Sequence, residues 1–191
     1  MIDNKNFMEE SAGFESFKLN KQLLNAIADL GYKSPTPIQA KAIPVANAGH
    51  DLFGIAQTGT GKTAAYLIPI LLKIKYAQGN DPRALILAPT RELVMQIEEN
   101  PRKLATYTDL RVVGLYGGKG PKLQIEELKK GVDLIVATPG RFTELYHAEA
   151  IHPRQIKTLV LDEADRMMDM GFMPQIRKIL EVIPVKRQNM L

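Results

Sequence analysis

Apolar residues recur along this chain in two alternating periods. Short unbroken runs rich in Val, Ile and Leu stand at residues 52–56, 84–88, 112–116, 134–137 and 159–161, and each reads as a buried strand. Between them, at 62–77, 92–105, 122–130 and 141–148, apolar positions repeat at three and four, the spacing of a helix with one buried face. Upstream, Asn20 can cap a helix carrying Leu23, Leu24, Ile27 and Leu30, and Gly31 follows where a left-handed residue ends a helix. Pro35 and Pro37 then punctuate the chain before a second helical stretch at 38–48, which Gly49 closes. Residues 187–191 fit a final strand. Strands alternating with helices predict right-handed crossovers and a parallel sheet covered on both faces, an α/β doubly wound domain. Ligands of such sheets collect at the carboxyl ends of the strands, so the residues that follow each apolar run carry the chemistry.

Composition narrows the class without choosing a function. The 191 residues suit one domain of ordinary size. A chain that is 45% hydrophobic and 24% charged has the balance of a globular protein, against disordered, collagen-like or coiled-coil readings. It has no cysteine, which excludes a disulfide framework, a thiol nucleophile and thiolate zinc sites, and favours a cytoplasmic location. The first ten residues are polar and acidic, unlike a secretory signal, and the longest apolar stretch, 64–72, falls short of the ~20 residues that cross a bilayer. No membrane partner is expected. The formal charge of +4 is compatible with a polyanionic partner and too mild to require one.

The run at 52–56 leads into Gln57-Thr58-Gly59-Thr60-Gly61-Lys62-Thr63, so a strand opens through a glycine-bearing loop into a helix that begins Lys-Thr. That order suits phosphate binding. Glycines let successive backbone N–H groups wrap phosphates, a lysine reaches the β and γ oxygens, and a hydroxyl ligates Mg²⁺. Gly59, Gly61, Lys62 and Thr63 supply those parts, although Ala56 stands where the strict pattern has glycine. A dinucleotide fingerprint is rejected, because no third glycine follows at the right offset. The run at 159–161 ends in Asp162-Glu163-Ala164-Asp165. Carboxylates at the tip of a buried strand form a Walker B arrangement, in which Asp162 holds hydrated Mg²⁺ and Glu163 orients or deprotonates the attacking water. His50, His147 and His152 lack acidic or histidine neighbours at ligand spacing and read as surface residues. Met167, Met168, Met170 and Met173 read as packing around the start of a helix.

Asp162-Glu163-Ala164-Asp165 resembles the signature of the DEAD-box RNA helicases, and the other stations match that family in order over essentially the whole chain. Residues 56–63 resemble its variant of the phosphate loop, which accounts for Ala56. Residues 31–39, Gly-Tyr-Lys-Ser-Pro-Thr-Pro-Ile-Gln, resemble its Q motif, with Phe14 upstream where the family keeps an aromatic. The resemblance implies that Gln39 reads the adenine edge and that Phe14 stacks on the ring, with Tyr32 in the same motif. An amide can donate and accept at once, so bidentate pairing with adenine N6 and N7 is chemically sound. Taken singly, Gln39 is a surface residue and Phe14 a staple for the first helix. Pro89-Thr90-Arg91, Gly117-Gly118 and Thr138-Pro139-Gly140-Arg141 resemble segments that grip one RNA strand by its backbone, a contact that reads no base identity. Each also has a plainer use as a helix cap or turn.

The implied molecule is the first RecA-like P-loop domain of an ATP-dependent RNA helicase, spanning residues 13–191 behind a tail at 1–12, with ATP and Mg²⁺ as cofactors. A second RecA-like domain, bringing further RNA contacts and an arginine finger, is expected outside this chain, and Asp165 is expected to couple the two. A monomer is expected. The isolated chain should bind nucleotide without unwinding RNA. Two alternatives stand beside this one: another P-loop enzyme such as a DNA helicase or transport ATPase, which would lack the Q motif, and a non-enzymatic ATP-gated RNA clamp, which would share every motif.

Overall fold

The protein is described by a computed structural model over residues 13–57 and 59–191, so the tail at 1–12 and Thr58 lie outside the described residues. Strands β1 (Ala84–Leu87), β2 (Val112–Leu115), β3 (Leu134–Ala137), β4 (Thr158–Leu161) and β5 (Gln188–Met190) form a parallel sheet in the order β2-β3-β1-β4-β5. Eight α-helices accompany it among the described residues: α1 (Lys21–Asp29), α2 (Pro37–Asn47), α3 (Lys62–Ile74), α4 (Arg91–Leu104), α5 (Pro121–Lys129), α6 (Pro139–His147), α7 (Ala164–Asp169) and α8 (Met173–Val182).

The expected two-faced burial is realised residue by residue. On β1, Ala84 and Ile86 join the core under α1 to α4, while Leu85 and Leu87 join a second core under α5 to α8. The first core takes Leu23, Ile43, Leu67 and Ile97 from its helices, and the second takes Leu128, Phe142, Met167 and Ile179 from the others. Each fully buried Leu, Ile or Phe contributes about 1.5–3 kcal/mol, so the two layers hold the sheet from both sides. Local chemistry sets the helix starts. The Leu23 N–H donates to Asn20 Oδ1 (2.9 Å), the Leu93 N–H donates to Thr90 Oγ1 (3.2 Å), and Thr36 and Gln39 form a reciprocal capping box.

At the amino end of the sheet, the Asp133 side chain is wholly buried and accepts from Arg83 (2.8 Å), Arg111 Nε (2.9 Å) and the Arg111 backbone N–H (3.0 Å). These bonds clamp the residues just before β1, β2 and β3 to one another.

Three expectations need correction. Residues 52–56 are not a buried strand: Leu52 makes a single parallel bridge to Met190, and Phe53 and Ile55 are 74% and 86% exposed. The Leu52 N–H donates to Asn189 O (2.9 Å) and the Gly54 N–H to Leu191 O (2.8 Å), so this segment lies beside β5 without forming a strand of its own. The helix expected over 62–77 ends at Ile74, because Lys75 turns to a φ of 62°. Helices α7 and α8 fill a stretch where the sequence shows only the start of a helix, around Met167 to Met173.

Candidate nucleotide site

The strand order sets the expected segments in a row along the carboxyl edge. Gly117 and Gly118 follow β2, Thr138 to Arg141 follow β3, Pro89 to Arg91 follow β1, and Asp162 and Glu163 follow β4. Beyond β5, which Leu52 meets at Met190, the phosphate loop opens α3 with Lys62 and Thr63 as its first two residues. A cleft of about 670 Å³ is lined by Tyr32, Gln39, Gly59, Gly61, Lys62, Thr63, Asp162 and Glu163. A larger cavity of about 940 Å³ opens at the opposite, amino edge near Lys73 and Lys157, but it holds none of the motif residues, and no helix begins at it to present the N-terminal N–H groups that suit phosphate.

The N-terminus of α3 delivers free backbone N–H groups and a partial positive charge into this cleft. Gly61 caps it at φ 92°, and a Cβ there would come within 2.5 Å of Gln39 Nε2, so both conformation and space call for glycine. Thr60 Oγ1 donates to Gln57 O (2.7 Å) and closes the loop on itself. Asp162 sits at the tip of β4, where its backbone N–H still donates to Leu87 O (2.9 Å). Burial pushes its carboxyl above the usual carboxylate range, opposed by the Tyr66 hydrogen bond and the Lys62 charge. The Tyr66 hydroxyl donates to Asp162 Oδ2 at 2.8 Å. Burial, and then the Asp162 charge, push that phenol well above its ordinary value, so it remains a donor. Glu163 caps α7 with left-handed backbone, φ 54°, a conformation that costs a non-glycine residue roughly 1–2 kcal/mol. Its carboxylate pairs with Arg166 at 3.1 Å. Asp165, in the first turn of α7, is exposed.

Several expected contact residues are occupied by the chain itself. Gln39 is only 4% exposed; its Nε2 donates to Gly61 O (3.2 Å), and its Oε1 accepts from the Thr36 N–H (3.0 Å). One hydrogen and one lone pair of that amide remain for a base. Phe14 is 3% exposed and is not among the residues that line the cleft. It lies against Tyr32 (6.3 Å between ring centroids, 29° between planes), and the exposed cleft aromatic is Tyr32. Arg141, expected at RNA phosphates, has a side chain only 9% exposed and donates to Lys119 O (2.9 Å) and Gln124 Oε1 (3.0 Å). Arg91 is exposed and lies over the Tyr116 ring at 5.5 Å. Gly118, at φ 86°, makes room for that guanidinium. Thr90 takes its plainer role as a cap, Thr138 precedes α6 without a side-chain cap bond, Pro139 is buried and Gly117 is exposed.

Tyr66, Thr36 and Arg166 were not anticipated. Tyr66 offered one signal, the lone polar group in the apolar run 64–72, one turn beyond Lys62.

A strand-edge cleft built from a phosphate loop and a facing acid pair, on a parallel sheet with helices on both sides, defines a RecA-like P-loop domain. Residues 36–191 match the model of the DEAD/DEAH box helicase family, and this chain belongs to that family. It is 47% identical over 184 residues to DEAD-box ATP-dependent RNA helicase 30 of Arabidopsis thaliana, covering 93% of this chain and 31% of that protein. It is 45% identical over 192 residues to DEAD-box ATP-dependent RNA helicase 52A of Oryza sativa subsp. japonica, covering 93% and 32%. The crystal structure of the yeast DEAD-box splicing factor Prp28 superposes with a TM-score of 0.84 at 38% identity, over 90% of this chain and 44% of that one. The chain thus spans about a third of the length of these curated relatives.

Proposed function

We propose that residues 13–191 form the first RecA-like domain of an ATP-dependent RNA helicase, one that binds adenine nucleotide in the cleft and a single RNA strand along the adjoining edge. The observation that carries this reading is the convergence of the α3 N-terminus, Lys62 and Thr63 with Asp162 and Glu163 on one cleft. Lys62 would bind the terminal phosphates as a charged donor, and the loop N–H groups would wrap them. Among the described residues no group of three or more His, Cys, Asp or Glu could hold a metal alone. One carboxylate beside one hydroxyl instead suits Mg²⁺, which keeps waters and takes its remaining ligands from phosphates. Thr63 and Asp162 would hold it, and when bound it would neutralise charge on the transferring phosphoryl group. Glu163 would orient the attacking water and accept its proton.

The exposed Arg91 and the glycines after β2 support backbone contact to RNA without base reading. The relatives' greater length supports a second domain in the parent protein, and the exposed Asp165 is suited to meet it. A cytoplasmic location, which a sequence without cysteine suits, and a monomeric state complete the proposal. No described helix is long and apolar enough to cross a membrane.

Titration with ADP and GDP in Mg²⁺ tests the site. A cleft that pairs with one base rejects another at about 1–3 kcal/mol per unpaired polar group, so ADP should bind at least tenfold more tightly, and Gln39→Ala should erase the preference. Equal affinities would favour a P-loop enzyme of another kind. Turnover by the whole parent protein separates the helicase from a non-enzymatic RNA clamp.

A further inference from the structure

Tyr66 lies in α3, one turn beyond the phosphate loop, with its ring in the core under α1 to α4 and only 6% of the residue exposed. A buried phenol hydroxyl is costly without a partner, and this one donates to Asp162 Oδ2 at 2.8 Å, with the Thr63 hydroxyl as its other close neighbour. The donor belongs to the helix that begins with Lys62 and Thr63, and the acceptor to the strand opposite it. This bond therefore fixes the carboxylate relative to the two residues with which it would share a metal-bound nucleotide. The carboxylate torsion of an aspartate is broad and roughly two-fold, so packing of its Cβ alone does not choose which oxygen faces the cleft. A bond from a rigid, buried donor does choose: with Oδ2 engaged, Oδ1 is the oxygen left for the cleft.

We infer that Tyr66 is a positioning residue for Asp162, holding its carboxylate in the orientation that receives the hydrated divalent cation of the bound nucleotide. This rests on the assignment of Asp162 to the metal. Phenylalanine at 66 would pack equally well and leave the carboxylate free to turn, so the hydroxyl serves the site rather than the core.

The test is equilibrium binding of a fluorescent ADP to wild type, Tyr66→Phe, Asp162→Asn and the double variant, first in EDTA and then across a Mg²⁺ titration. Partners that orient a metal ligand typically contribute about 10- to 100-fold in metal affinity. Tyr66→Phe should therefore raise the Mg²⁺ concentration for half-maximal tightening by about tenfold or more, with metal-free ADP affinity within about twofold of wild type. In the Asp162→Asn background the same change should have no further effect. A merely structural tyrosine would move the metal-free arm and the melting temperature instead, and that result overturns the inference. So does an unchanged Mg²⁺ midpoint in Tyr66→Phe while wild type and Asp162→Asn differ, which leaves the metal assignment standing. If wild-type ADP binding shows no Mg²⁺ dependence, the assignment of Asp162 falls and this inference with it.

Discussion

Lys62 is the first residue of α3 and its side chain belongs to the cleft rather than to either core, so shortening it removes charge without opening a cavity. Lys62→Ala should weaken ADP binding by about 10- to 100-fold, the equivalent of one charge-assisted hydrogen bond at about 1.5–3 kcal/mol. Its melting temperature should stay within about 2 °C of wild type, as expected of a change outside the core. Calorimetric titration beside a thermal melt reads both. Glu163→Gln makes a different change at the same cleft. It keeps shape, forfeits a part-exposed pair with Arg166 worth about 0–1 kcal/mol, and removes the base. In the parent protein, steady-state hydrolysis should fall about 10²- to 10⁴-fold while nucleotide and RNA affinities hold. Normal turnover would take Glu163 out of that role.

Among the elements, the clamp at the amino end of the sheet has a pH signature. Burial alone would raise the Asp133 carboxyl, but hydrogen bonds from Arg111 and Arg83 outweigh it and hold the group below its ordinary value. A carboxyl depressed on folding adds stability above its unfolded pKa, near 3.9, and loses it as pH falls through the lower folded value. Asp133→Asn should therefore be less stable than wild type at pH 7, by about 3 kcal/mol, the low end for a broken buried pair because Arg83 and Arg111 keep access to water. The gap should narrow below about pH 4, and urea melts at both pH values measure it; a pH-independent gap would mean that Asp133 acts by packing alone. The elements legible in the sequence are those specified locally. Asn20, Thr90 and Pro37 announce helices within a few residues, and the apolar runs of β1 to β4 are recognisable from composition alone. The phosphate loop and acid pair were legible for the same reason, being short and contiguous. Residues 52–56 carry the same kind of apolar run, yet only Leu52 bridges, to Met190, and Phe53 and Ile55 are exposed, because an apolar run does not show whether neighbouring elements cover it. Phe14 and Arg141 carry side chains suited to stacking and to phosphate, yet Tyr32, Lys119 and Gln124, which occupy them, lie 17 to 22 positions away along the chain. Spacing within a motif does not reveal that competition.

For the whole molecule, binding and catalysis should separate. The cleft opens at the carboxyl edge of the sheet, and the curated relatives are about three times as long as this chain. In related phosphoryl transfers an arginine finger contributes roughly 10³ to 10⁵ in rate, and the proposed parent would draw its finger from the second domain. The 191-residue chain should accordingly bind ADP with Mg²⁺ and hold single-stranded RNA only weakly, less so as salt rises, because a net charge of +4 neutralises few phosphates. RNA should not stimulate its ATPase, and a short duplex should remain annealed. Joining the second domain through its natural linker should restore both activities, since tethering raises the effective concentration for closure to about the millimolar range. The comparison uses ATPase rates with and without RNA, on the chain alone and on the two-domain protein. RNA-stimulated hydrolysis by the chain alone at the two-domain rate would mean that the cleft between α3 and β4 already holds every catalytic group, and the proposed division between the domains would be wrong.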